Sequence, residues 1–345
     1  MEFQLKQSIG VRACVTKEIM RTTDVAALWN SPGCDYNAGF VVVRPSVVTR
    51  QLYRTIKRMT DKSATTDDQL ALNDAIGAMR RRRTRLEVAA LNERRFLSGY
   101  EYFERPRRWF PLNGDRACAE RNGDRCAVVV HNNWIVSKAA KIYRFREHLM
   151  WYFDGDDQYY TSGTRLYLTY ASRPDTNREP RNKRREEMRV ALEISALKAA
   201  MAVGHVLNRT VILPKFAVGG RAAVDRQLNS LVHVKTFDGE FSGKYRENSF
   251  LRHPKVPGQV KSGLHEQPLV IGKTFGNNLR PARRNVTVSR FDILRQFGKV
   301  NAKILAVGSL NNVNVVLGNS SDDVKFGEKL RRAVLRSNYR QDKRW

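Results

Sequence analysis

The sequence predicts an α/β fold in two successive units, and three features of its apolar pattern carry that expectation. Runs such as GFVVV at 39–43, VVV at 128–130 and KILAVGSL at 303–310 have the length and β-branched content of buried strands. Between them lie stretches whose apolar residues recur every three or four positions, the period of a helix with one buried face. The segment ASRPDTNREPRNKRREE at 171–187 is rich in proline and charge and almost free of apolar residues, so it separates two such alternations. The expected division is a first unit over 1–172, a linker over 173–186, and a second, smaller α/β unit over 187–345.

Taken in order, the strand at 39–43 is followed by Arg44-Pro45-Ser46, which opens a helix with Val48, Leu52, Ile56 and Met59 on its buried face. Thr65 and Thr66 are expected to cap the next helix. Asp67 and Asp68 fall in its first turn, where carboxylates favour the positive helix end, and Leu72, Ile76 and Met79 form its stripe. Strands follow at 128–130 and 165–170. The second half opens with a helix over about 186–207, its apolar face Val190, Ile194, Leu197 and Met201. TVILP is then a short buried strand, ILAVGS and VNVV are two more, and Ser321 caps a last helix carrying Phe326, Leu330 and Val334.

Composition narrows the classes of function. With 345 residues and 41% hydrophobic content the chain can bury a sizeable core. It has no run near the roughly 18 apolar residues of a membrane span, and its first twenty residues lack the apolar centre of a secretory signal. A net charge of +28 favours polyanions: nucleotide diphosphates, sulfated glycans, anionic surfaces or nucleic acid. Arginine is densest at 80–85, 105–108 and 181–185, runs that equally suit a solvated face. Zinc-finger, RNA-recognition and helix-turn-helix signatures are absent, so no specific nucleic-acid partner is expected.

Cys118 and Cys126 flank AERNGDR, whose Asn-Gly is a turn signal, and a disulfide closing that loop would fit an oxidising compartment. Sequons at Asn208, Asn285 and Asn319 are compatible with passage through the secretory pathway.

Four blocks then occur in one order. CDYNAGFVVVRPS contains an Asn-x-Gly-Phe turn feeding a strand and then Arg-x-Ser. DDQ follows at 67–69, with Asn73 four residues after the Gln. RRFLSGYEYF carries Phe96, Gly99 and Phe103. HNNWIVSKAAK carries His131, Asn133, Ser137 and Lys141. This series resembles the nucleotide-diphospho-sugar transferases, the family that includes the plant rhamnogalacturonan xylosyltransferases, over roughly residues 30–155.

The resemblance implies a partial domain of the GT-A type and a glycosyltransferase that uses a nucleoside-diphosphate sugar. The donor would be a UDP-sugar, the acceptor a glycan or protein, and the anomeric configuration would be retained. It implies Mn2+ held by His131. Asn37, Gly39, Arg44, Asn133 and Lys141, with Lys138 as an alternate to Lys141, would lie at the donor, and Asp68 and Gln69 would lie at the reacting centre. A Golgi lumenal location goes with it.

The chemistry suits these residue types, because a departing diphosphate is stabilised by a divalent ion and nearby cations. Imidazole and carboxylate are apt manganese ligands. For His131 the other reading is a structural histidine at a strand end, and for Asp67 and Asp68 it is compensation of the helix dipole.

Two departures accompany the match. Ser137 stands where the family has glycine, and no Asp-x-Asp turn precedes Asn37, since Glu2, Glu18 and Asp24 are widely separated. The chain is therefore expected to be an N-terminally truncated transferase or one that has lost catalysis. The alternative is a non-catalytic polyanion-binding or scaffold protein. A weaker resemblance in the second half, ALKAAMAVGHVLNRTVILPKF, is to protein O-fucosyltransferase-like domains through Leu207, Asn208, Arg209, Thr210, Leu213 and Pro214. It implies a Rossmann-like second unit and assigns no catalytic residue. KYRENSFLRHP at 244–254 is polar and without an assigned role.

Overall fold

A computed structural model describes residues 23–29, 35–62, 67–93, 95–104, 127–135, 137–151, 158–171, 183–216, 228, 231–267, 269 and 286–335. The chain divides into two compact units, Met1–Ile135 and Val136–Trp345. Each is mixed α/β, with parallel strand pairing in both.

In the first unit the strand expected at 39–43 is longer. β1 (Val25–Trp29) pairs antiparallel with β2 (Tyr36–Val43) and parallel with β3 (Val88–Ala90). The β1–β2 ladder is broken in a particular way: Ala27 faces Val41, and the next residue, Leu28, faces Asn37. Residues 38–40 therefore bulge out of the ladder, which bends the strand and redirects its side chains.

α1 (Val47–Lys62) begins with a reciprocal cap, the Ser46 amide donating to Thr49 Oγ1 at 2.9 Å and the Thr49 amide to Ser46 Oγ at 3.1 Å. Its expected stripe of Val48, Leu52, Ile56 and Met59 packs with Val25, Leu72, Ile76 and Met79. α2 (Asp68–Arg81) is capped by Asp67, whose carboxylate accepts from the Leu70 amide at 2.7 Å. Asp67 thus takes the N-cap place expected for the threonines, and 65 and 66 lie outside the described residues.

β4 (Phe96–Ser98) and β5 (Val129–His131) run parallel with Ser98 opposite His131. The strand expected at 128–130 therefore ends on the histidine. After β4 the backbone makes a π-helical turn, Tyr100–Glu104, that buries Tyr102 and Phe103 and leaves Tyr100 outside.

The second unit is described by itself. α3 (Lys138–Glu147) is capped by Ser137, whose φ of 85° and ψ of 148° lie where glycine is at ease. This accounts for the glycine that the resemblance leads one to expect at 137: the turn is kept and the serine Oγ accepts from Ala140 N at 3.2 Å. Next come α4 (Gln158–Thr161), β6 (Tyr167–Ala171), α5 (Lys183–Val206), β7 (Thr210–Ile212), α6 (Val234–Phe241) and β8 (Tyr245–Arg246). α7 (Gly258–Ser262), β9 (Leu264–Glu266), β10 (Val286–Ser289), α8 (Arg290–Phe297), β11 (Ile304–Ser309), β12 (Val313–Val316) and α9 (Ser321–Leu335) complete it. Ser320 rather than Ser321 caps α9, accepting from the Asp323 amide at 3.2 Å.

Five strands form one sheet in the order β8-β7-β6-β11-β9, every pair parallel. The expected boundary near 172 falls inside the second unit. β6 lies between β7 and β11, and the second unit, from Val136 onward, is the longer of the two. α5 likewise begins at Lys183, inside the segment expected to be linker.

The LNRT element is built for structure. α5 ends in a Schellman motif, Arg209 N donating to Gly204 O at 2.8 Å and Asn208 N to His205 O at 3.2 Å, with Asn208 at φ 50°. Arg209 is buried, and its guanidinium donates to the carbonyls of Tyr167 at 3.1 Å, Ala302 at 2.8 Å and Val300 at 2.5 Å. Three carbonyls from two other segments thus share one cation. Replacing Arg209 by Leu orphans them, and a denaturant melt is expected to show a loss of about 3 kcal/mol or more. An unchanged midpoint would remove the clamp from this account.

Candidate functional site

The Asn37 side chain organises the bulge. It is 4% exposed, its Oδ1 accepts from the Gly39 amide at 2.8 Å, and its Nδ2 donates to Gln69 Oε1 at 3.1 Å. An asparagine two residues before the donor amide is the ordinary Asx turn, which explains the Asn-x-Gly spacing. The helix carrying Gln69 is tied to the same place by Asn73. Asn73 accepts from the Tyr36 amide at 2.9 Å and donates from Nδ2 to the Tyr36 carbonyl and the Gln69 carbonyl, both at 2.8 Å. Gln69 and Asn73 are four apart and so share one face of α2. The DDQ-x-x-x-N block is thus a docking device as well as a source of polar groups.

Gly39 is exposed on the bulge and lies directly against His131. A Cβ at position 39 would collide with Cε1 and Nε2 of the imidazole and stand 2.9 Å from Asn37 Oδ1. Only glycine leaves room for the ring there. His131 is half-buried, so the imidazole is not sealed in a dry interior. Two residues on, Asn133 Oδ1 accepts from the Gly99 amide at 2.6 Å, which ties the turn after β5 to the turn after β4. Asn37, Gly39, Gln69 and His131 therefore come together, with Asn133 at the adjoining strand end. Asp68 sits exposed in the first turn of α2, beside Gln69 in sequence.

Arg44 stands just past the end of β2, and its guanidinium pairs with Asp24 at 2.7 Å. Asp24 is buried and also accepts from the Glu87 amide at 3.1 Å. Burial opposes its charge, but the Arg44 and Glu87 hydrogen bonds outweigh this and hold the carboxyl below its usual range. Arg44 and Asp24 thus fasten β1, β2 and the approach to β3. Lys138 and Lys141 are exposed on α3 of the second unit.

Among the described residues no three of His, Cys, Asp and Glu gather into a group that could hold a metal. His131 alone falls short of the nitrogen and carboxylate set that manganese takes. Cys118 and Cys126, the expected disulfide, lie outside the described residues.

A second polar constellation went unread in the sequence. KYRENSFLRHP contributes Arg246 and Glu247, both buried. Glu247 accepts from the hydroxyls of Tyr159 at 2.7 Å and Tyr160 at 3.0 Å. Arg246 donates to the carbonyls of Tyr159 at 3.2 Å and Tyr245 at 2.8 Å, and its guanidinium carbon lies 4.0 Å from the Tyr159 ring centre. His253 stacks on Tyr160 at 3.6 Å between centroids. These groups satisfy one another around an aromatic core of Tyr159, Tyr160, Tyr167 and Phe250. We read them as a staple of the second unit. A buried polar cluster has no period along the chain, and only the odd density of polar residues marks it. Glu147 belongs to the same region: burial, then the charge of Glu247, pushes its carboxyl up to about 8.

Residues 14–145 match the family described as nucleotide-diphospho-sugar transferase. No curated protein and no solved structure matches the chain. The matched stretch contains every element of the Asn37–His131 arrangement. It suggests glycosyltransferase activity with a nucleotide-sugar donor and a glycan acceptor.

Two outcomes follow. Gly39→Ala is expected to lower stability by about 1–2 kcal/mol and to move the His131 ring resonances, because the ring must give way. In a His131→Ala background the same change should cost little, and equal costs in both backgrounds would break the contact.

For Glu147 the sign is set by its raised folded value. Below about pH 4.3 both folded and unfolded chains hold the proton. Between there and pH 8 only the folded chain does, so stability falls as pH rises, by up to about 1.4 kcal/mol per unit. Glu147→Gln should flatten urea midpoints across that window and raise the midpoint at pH 8. A slope unchanged by the substitution would contradict it.

Proposed function

We propose that the first unit binds a nucleoside-diphosphate sugar at the Asn37–Gly39–His131 contact and moves the sugar to a hydroxyl of a glycan or protein acceptor. One observation supports the reading above the others. The bulge at 38–40, the N-terminal turn of α2 and the end of β5 are three segments far apart in sequence, and they bring amide, glycine, glutamine and imidazole together within the stretch that matches the transferase family.

In the transfer, the bond between the anomeric carbon and the diphosphate oxygen breaks and its electron pair leaves with the diphosphate. The acceptor oxygen forms the new bond and gives up its proton to the departing phosphate or to water. Gly39 gives the donor close access to backbone. Gln69, held by Asn37, offers an amide suited to sugar hydroxyls, and Asp68 supplies a carboxylate for an acceptor hydroxyl or a hydroxyl of the donor sugar. His131 would face the leaving group or the sugar as a hydrogen-bonding and proton-holding group. The described donors do not make a manganese site, and no step is routed through a metal. A UDP-sugar as donor, a retained anomeric configuration and a Golgi lumenal setting rest on the family resemblance.

A second reading is favoured by a specific feature. Arg80, Arg81, Arg82, Arg83 and Arg85 are all exposed at and just beyond the C-terminus of α2, a cationic patch suited to sulfated glycan.

The test is UDP binding, followed by thermal melt, and UDP release from a panel of UDP-sugars. Protection by UDP with release that falls at least a hundredfold in His131→Ala is the expected result. Binding without release would make the unit a non-catalytic nucleotide-sugar binder. No protection, together with salt-labile retention on heparin abolished by replacing the five arginines, would place function in the cationic patch instead.

A further inference from the structure

Two exposed rings of the first unit stand side by side. Tyr100 is 37% and Trp134 40% exposed, with centroids 5.6 Å apart and planes inclined by 45°. Isolated exposed aromatics are ordinary, but a large adjoining pair with a built support is not.

Their support is specific. Tyr100 begins the π-helical turn that follows β4, a backbone form found often at functional positions. Trp134 holds φ at +58°, a left-handed conformation unfavourable for a bulky residue. The two turns leave paired strand ends, Ser98 opposite His131, and are laced by the Gly99 amide on Asn133 Oδ1. Inward of Tyr100, Tyr102 and Phe103 fill the core and meet edge to face at 4.9 Å. The pair is therefore presented on a fixed base, three residues beyond His131.

We propose that Tyr100 and Trp134 form the platform on which a pyranose ring of the acceptor glycan stacks. This deepens the donor-site reading above and rests on it for the word acceptor.

The chemistry favours a sugar over the base of the donor nucleotide. A base is told apart by hydrogen bonds along its edge, yet the neighbouring Asn133 carbonyl oxygen is engaged with Gly99, and the Asn37 amide with Gly39 and Gln69. A pyranose needs chiefly an aromatic face for its C–H side, while its hydroxyls stay in water. Small-ligand sites are concave and enclose most of what they bind. Rings this exposed suit an extended chain passing over the surface. The rings follow the strand ends at which Ser98 pairs with His131, so a sugar seated on them lies at the same end of the β4–β5 pair as the imidazole.

The experiment is calorimetry of the full chain, without any donor, against cellotetraose, xylotetraose and the N-linked core pentasaccharide. Wild type is expected to bind at least one of them. Trp134→Gly removes the ring while relieving the left-handed backbone, so it is expected to fold, and it should weaken that binding at least tenfold. Tyr100→Ser should do the same, and Trp134→Phe should restore most of it.

Binding within twofold of wild type in both ring-removing variants overturns the platform, as does wild type binding none of the three. Loss of UDP protection in Trp134→Gly with glycan binding retained also overturns it, by placing the rings under the base. If wild type binds a glycan through these rings but never binds UDP, the platform stands and the transferase reading fails.

Discussion

The arrangement in the first unit depends on one side chain holding two others. Asn37 bonds the Gly39 amide with its oxygen and Gln69 with its nitrogen. The first bond keeps residues 38–40 out of the β1–β2 ladder, and the second holds the start of α2 beside the bulge. Without the bulge Gly39 would sit in register against β1, and an unbroken β2 would direct alternate side chains to each face in ordinary order. With it, a glycine is turned outward at the point where the His131 ring arrives. Burial raises the stakes, since an asparagine that loses either partner leaves a polar group unsatisfied in the interior.

The same economy runs through the rest of the unit, where side chains stand in for backbone. Asn73 takes both the amide and the carbonyl of Tyr36 as a neighbouring strand would. The Asp24 carboxylate accepts from the Glu87 amide while neutralising Arg44. Asn133 closes on Gly99. Asn73 and Asn133 lie in blocks that read as catalytic, and each is occupied in holding neighbouring backbone. A motif that serves chemistry must first be positioned. Several of its letters are accounted for by positioning; Gly39, His131, Gln69 and Asp68 are the ones on which the proposed function draws.

The second unit shows polar groups in a different role. Arg209 gathers three carbonyls, and Glu247 with Arg246 satisfies a nest of tyrosines and backbone oxygens. Asp323 accepts from His205 at 2.9 Å and Arg290 at 2.8 Å, and so joins α5, α8 and α9. Apart from the bond between the neighbours Arg246 and Tyr245, these are long-range ties between segments about 30 to 120 residues apart, and they lock the five-stranded parallel sheet and its helices into one arrangement. Buried and mutually satisfied, they explain why a stretch as polar as KYRENSFLRHP belongs in a core.

The sequence by itself determined whatever is local and periodic. The stripes of α1 and α2, the apolar strands around 39–43, 128–130 and 304–309, the long helix before TVILP and the order of the four blocks all follow from spacing along the chain. The Asn-x-Gly turn, too, follows from two neighbouring residues. Tertiary structure decided what depends on pairing across distance. It placed β6 between β7 and β11, because a parallel ladder is formed by partners the local pattern does not name. It paired Arg44 with Asp24, and it set His131 on Gly39, whose separation of 92 positions no period spans.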